Sequence, residues 1–186
     1  MNQITTQYVT EGGACYEQYV ITDPAAKTAL TITPERGGMI TGFTLDGDEY
    51  IWTRRPNFSE CNRDGGVHLF DGKAYPMECH GFADLCAWEV ESVGPDGLTL
   101  ILESTPLTKF LYPFDFTLLV NYNLEGNKAL ISLTVINEGD KPMPFSFGYH
   151  PYFMASSLEN VDFDIKCATC SENAKGEQPA APEKIT

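Results

Sequence analysis

Positive charge is what this sequence has least of. Its 186 residues carry 12 Lys plus Arg against 26 Asp plus Glu, a formal net charge of −14. Binding a polyanion needs a basic face that so few cations can hardly build, which argues against a nucleic-acid partner. The same excess disfavours an anionic membrane surface or a highly phosphorylated substrate. Long apolar runs are also missing. Even residues 98–102 are interrupted by Thr99 and flanked by Gly97 and Glu103, far short of a membrane span. The first seven residues, Met1-Asn2-Gln3-Ile4-Thr5-Thr6-Gln7, have neither the basic nor the apolar region of a secretory leader. A cytoplasmic location is therefore expected, with Cys15, Cys61, Cys79, Cys86, Cys167 and Cys170 as reduced thiols. No stretch of useful length has a helical 3.6-residue period.

What the sequence does have is alternation. Along residues 116–124, Phe116, Leu118, Val120, Tyr122 and Leu124 share one face, opposite Thr117, Leu119, Asn121 and Asn123. That is the pattern of a half-buried strand. Residues 129–137 repeat it through Ile131, Leu133 and Val135, and residues 98–102 through Leu98, Leu100 and Leu102. These three apolar sets are expected in the core. Further strands are expected at residues 16–21, 28–33, 39–45, 49–52 and 88–90. Between the runs lie Asp46-Gly47, Asp96-Gly97, Glu125-Gly126 and Gly139-Asp140, residue types that reverse antiparallel strands. Many short strands with close turns predict an all-β antiparallel sandwich or barrel. Residues 54–76, with Gly65-Gly66 and Asp71-Gly72, read as a long ordered loop, a type that tends to be functional. Residues 171–186 read as a polar loop or tail, and residues 1–186 as a single domain.

The histidines number three. His80 is followed directly by Gly81, which lets the backbone turn sharply and leaves the imidazole accessible. His150 sits in Phe147-Gly148-Tyr149-His150-Pro151-Tyr152-Phe153, where proline ends a strand and the aromatics could wall a pocket or simply fill a core. His68 has nothing distinctive around it. Cys167-Ala168-Thr169-Cys170 has redox or half-zinc spacing, but no second such pair accompanies it. Cys61, His68, Cys79 and His80 match no standard zinc spacing. No metal site and no cofactor are expected.

Taken together, four segments in order resemble the galactose mutarotase-like (aldose 1-epimerase) superfamily. Residues 37–43 followed by Asp48-Glu49-Tyr50-Ile51-Trp52 resemble its opening hairpin, and Glu78-Cys79-His80-Gly81-Phe82-Ala83 with Trp88-Glu89-Val90 its HGFA element. Tyr112-Pro113-Phe114 with residues 116–124 and 135–145 resemble its central strand pair, and His150-Pro151-Tyr152-Phe153 its second histidine motif. The resemblance implies an antiparallel β-supersandwich that interconverts the α and β anomers of a hexose without a cofactor. It implies His150 as the general acid, His80 as a second imidazole stabilising charge on the sugar oxygens, and Arg63, Tyr152 and Phe82 as substrate-binding residues. The family's general base is a glutamate in a C-terminal region that these residues do not reach, and its usual arginine after the HGFA element is Asp84 here. Two further readings compete: a catalytically silent carbohydrate-binding relative, and a structural β-sandwich interaction module. Unpaired strand edges would make a homodimer one way to cover them.

Overall fold

The computed structural model describes residues 1–52, 66–78, 80–95, 97–162, 164, 169–170 and 183–184. They divide into two compact units, residues 1–154 and 155–186. In the first unit, β1 (Gln3–Glu11), β2 (Ala14–Asp23), β3 (Thr28–Thr33), β4 (Met39–Leu45) and β5 (Asp48–Glu49) form an antiparallel sheet in sequential order. After a small hairpin of β6 (Gly66–Phe70) and β7 (Lys73–Met77) comes a second antiparallel sheet. It contains β8 (Glu89–Gly94), β9 (Gly97–Glu103), β10 (Phe116–Glu125) and β11 (Lys128–Asn137), in the order β11-β10-β9-β8. In the second unit, β12 (Thr169–Cys170) pairs with β13 (Glu183–Lys184). Among the described residues no helix is long and apolar enough to cross a membrane.

The alternation in the sequence explains the packing. Ile21, Leu30 and Ile32 of the first sheet meet Leu98, Leu100, Phe116, Val120 and Tyr122 of the second in one buried core. The mostly antiparallel β-sandwich is the architecture the alternating runs predict. Tyr122 is the polar group inside that core: its hydroxyl donates to the Gly38 carbonyl at 2.6 Å. Tyr122→Phe removes the donor and leaves a buried acceptor, so it should lower stability by about 1–3 kcal/mol in urea unfolding.

One strand is added and three local expectations are corrected. The polar N-terminus forms β1, paired along its length with β2. None of its residues is fully buried and of its apolar residues Ile4 packs against the core, so only its β-branched content (Ile4, Thr5, Thr6, Val9, Thr10) hints at a strand. Residues 66–76, read as loop, belong to the β6–β7 hairpin. Asp71 and Gly72 both take positive φ, 49° and 73°, making a two-residue turn whose twist suits paired strands. A short helix α1 (Pro106–Leu111) appears where none is expected. Six residues are too few for periodicity, and a Thr105–Thr108 capping box with Pro106 in the first turn starts it. Finally, Ile131 is 40% exposed and Leu133 and Val135 only half-buried. Their face is as expected, since Ile131 lies opposite buried Tyr122 and Leu133 opposite buried Val120. β11 is the edge of its sheet, however, so coverage from the facing sheet thins there.

Candidate active site

His80 stands at the exit from the β6–β7 hairpin. Gly81 takes φ 80° and donates its N–H to the Glu78 carbonyl at 3.0 Å. This closes a tight turn with the exposed imidazole at its apex. Phe82, next in the chain, turns inward: its ring lies 5.9 Å from Tyr112 and 5.8 Å from Phe116. The structure thus places Phe82 against the core. Nearby, one carboxylate oxygen of Glu78, Oε2, is buried with no hydrogen-bond partner among the described residues.

His150 arrives from the other end of the unit. The chain before it is anchored where the Tyr112 hydroxyl donates to the Pro144 carbonyl at 2.7 Å. The chain after it is anchored by an antiparallel bridge between Ile51 and Phe153. In that bridge Trp52 donates its N–H to the Tyr152 carbonyl and Met154 donates to the Tyr50 carbonyl, each at 2.9 Å. The register puts Trp52 opposite Tyr152, and the two-residue step in extended chain puts His150 on the same side.

The result is a row of rings. His80 and His150 meet edge to face, with centroids 5.6 Å apart at 80°, although 70 residues separate them in sequence. His150 stacks on Tyr152 at 5.1 Å and 27°, and Tyr152 tilts against Trp52 at 5.8 Å. Of the residues singled out in the sequence, the structure therefore brings His80, His150 and Tyr152 together and sends Phe82 to the core. Arg63 lies outside the described residues, as do Cys61, Cys79 and Cys167, and residues 171–182 and 185–186 of the polar tail. Trp52, which the sequence places in a strand and in the hairpin segment of the family resemblance, extends the row. Its signal was the alternation of Tyr50 and Trp52, two large aromatics on one strand face.

Other groups have structural roles. Nε2 of His68 is bonded to the Leu111 carbonyl at 2.7 Å, and its ring packs on Tyr75 and Tyr112. Cys86 is a free thiol whose Sγ donates to the Phe82 carbonyl, and burial pushes its titration up, with Asp84 adding to the effect. Among the described residues no group of three His, Cys, Asp or Glu side chains could hold a metal ion.

Beside His150, Tyr149 is half-exposed as a residue, but desolvation of its phenol pushes it up to about 12 from its usual 10.0. The same cause raises buried Tyr122, with Tyr149 adding to it. The folded state thus holds these protons more tightly than the unfolded chain. The Tyr149 contribution is intact below pH 10 and is lost as the pH climbs from about 10 through 12, and that of Tyr122 is lost only beyond this window. Chemical denaturation at stepped alkaline pH should show the urea midpoint falling across that window. Absorbance of tyrosinate should show the phenols of Tyr122 and Tyr149 among the last to titrate.

A family model for aldose 1-epimerase matches residues 17–173. The chain belongs to the aldose 1-epimerase family. Among solved structures it is similar to the Slr1438 protein of Synechocystis, with TM-score 0.67 and 31% identity over 73% of this chain and 54% of the other. It is also similar to a galactose mutarotase related enzyme from Lactobacillus acidophilus, with TM-score 0.65 and 26% identity over 78% and 51%. Among curated proteins it is 23% identical to the chromosomal LacX protein of Lactococcus lactis, over 69% of this chain and 48% of that one. The chain thus spans about half the length of the proteins it matches. The fold seen here is that of the galactose mutarotase-like proteins, an antiparallel β-supersandwich. Both histidines and Tyr152 fall inside the matched span of the aldose 1-epimerase family.

Proposed function

We propose that this chain carries the acid half of a hexose-mutarotating site, with His150 as general acid and His80 as its electrostatic partner. The observation that supports this most directly is the meeting of the two exposed imidazoles, 5.6 Å apart, in a member of the aldose 1-epimerase family. Imidazole suits the task because its ordinary titration lies near neutral pH, so it can both give and retake a proton.

His150 gives its proton to the ring oxygen as the C1–O5 bond breaks, while a base takes the proton of the C1 hydroxyl, leaving the open-chain aldehyde. Rotation about C1–C2 presents the other carbonyl face, and reversal of both transfers closes the ring as the opposite anomer. His80, as a donor, stabilises the charge that develops on the sugar oxygens. Tyr152, stacked on His150, fixes the imidazole plane and offers an aromatic face to the pyranose. For the base, Glu78 and Asp84 are the candidates near His80 in this chain. A glutamate of the family's C-terminal region is the candidate outside it. The strongly acidic composition favours a neutral hexose over a phosphorylated one.

Polarimetry on freshly dissolved α-D-glucose and α-D-galactose tests the reading, using this chain and a form extended through any downstream reading frame. Acceleration by the short chain would make a carboxylate within it the base. Acceleration only by the extended form would assign the base outside. Sugar binding with no acceleration by either would leave a carbohydrate-binding relative, and neither binding nor acceleration would overturn the proposal.

A further inference from the structure

Glu49 ends the last strand of the first sheet, where the chain leaves that sheet for the segment that carries His150. β4 and β5 pair across the Asp46-Gly47 turn, with Leu45 opposite Asp48 and Thr44 opposite Glu49. One step further, a regular antiparallel ladder would join Phe43 and Tyr50 by two reciprocal bonds. The chain makes one of them. Tyr50 donates its N–H to the Phe43 carbonyl at 2.9 Å, but the Phe43 N–H goes to Glu49 Oε1 at 2.8 Å. The Tyr50 carbonyl accepts the Met154 N–H instead, at 2.9 Å.

The carboxylate thus takes the place of a backbone acceptor. The same oxygen also accepts the Ile51 N–H at 2.8 Å, so it satisfies one donor on each side of the turn. Room for it comes from Gly42, where a Cβ would sit 3.1 Å from Glu49 Oε2, closer than ordinary contact. With the Tyr50 carbonyl released from β4, its bond from Met154 and the Trp52-to-Tyr152 bond frame the Ile51–Phe153 bridge. Tyr152 then stacks on His150 at 5.1 Å, and His150 meets His80 at 5.6 Å.

We infer that Glu49 is a positioning residue for the acid histidine. By replacing the Tyr50 carbonyl in the first sheet, it frees that carbonyl for the bridge that sets His150 against His80. This rests on the reading of His150 as general acid, and adds to it a residue 101 positions earlier in the chain. The role belongs to the oxygen rather than to the charge, because a neutral amide oxygen can accept the same two N–H groups.

Glu49→Ala, Glu49→Asp and Glu49→Gln are compared by polarimetry, in whichever form of the protein is active, and by histidine NMR on this chain. Alanine removes the acceptor. Aspartate keeps the charge but is one methylene too short to hold both donors, and it serves alone should the alanine variant not fold. Both should lower kcat by about ten- to a hundredfold, with the smaller effect in KM, because a misplaced acid costs rate in the transition state. In both, the His150 and His80 resonances should move while that of His68, held on the Leu111 carbonyl, stays. Glu49→Gln keeps the oxygen and should match the parent protein in rate and in spectrum. Three results would overturn the inference: a shift of all three histidines, which means general loosening; unchanged kcat and His150 resonance in the alanine and aspartate variants; or a glutamine variant as slow as alanine. Each leaves the general-acid reading standing. If no form accelerates anomerisation, the general-acid reading falls, and the NMR comparison by itself decides whether Glu49 sets the histidine pair.

Discussion

Replacing Phe116 with alanine should remove about 3–5 kcal/mol of unfolding free energy, against less than about 0.5 kcal/mol for Ile131→Ala. Both residues belong to apolar sets that look alike in the sequence. Phe116 is 2% exposed and holds the rings of Phe82 and Tyr112, so truncation opens a cavity that stiff aromatic neighbours cannot fill. Ile131 lies on the edge strand, already in contact with solvent, and little burial is lost with it. Urea unfolding followed by far-ultraviolet circular dichroism measures both. The midpoint should move strongly for the first variant and hardly at all for the second, with slopes unchanged. Comparable losses from the two would mean that β11 is covered in solution.

His150→Ala should slow anomerisation by about 10²–10⁴-fold, in whichever form of the protein is active by polarimetry, if the imidazole is the general acid. The effect belongs in kcat, because proton transfer to the ring oxygen matters only as the C1–O5 bond breaks. The backbone anchors on either side of His150, at Pro144 and at the Ile51–Phe153 bridge, do not involve the imidazole. Stability should therefore change little, and the spontaneous rate in water sets the floor. His150→Gln keeps a hydrogen-bonding group of similar reach without a titratable proton, so it should be as slow as alanine. A fast glutamine variant would assign the proton transfer elsewhere.

The sheets were legible in the sequence where burial is one-sided. Residues 28–33 and 39–45 are β3 and β4 to the residue, and residues 116–124 lack only Glu125 of β10, because one face of each strand must be apolar. β1 was not legible, since an edge strand with both faces largely open to solvent needs no such pattern. Nor does alternation say how far a strand lies from the middle of its sheet. That is why Ile131 and Leu100 could not be told apart. Within the site, the glycine after His80 pointed to an accessible imidazole. Trp52 could not be distinguished from core by residue type, because an aromatic on a strand serves both purposes equally well. Its place follows from the Ile51–Phe153 bridge, a contact between residues 102 apart in sequence.

That bridge also bears on the order in which the molecule can assemble. The β1–β2, β6–β7 and β10–β11 pairs join neighbours through turns of two residues each, and such hairpins close in microseconds at small entropic cost. The bridge instead closes a loop that contains the entire second sheet, and the chain must pay that closure before any contact repays it. The row from His80 to Trp52 therefore depends on a long-range closure, unlike the hairpins on either side of it, which depend on local turns.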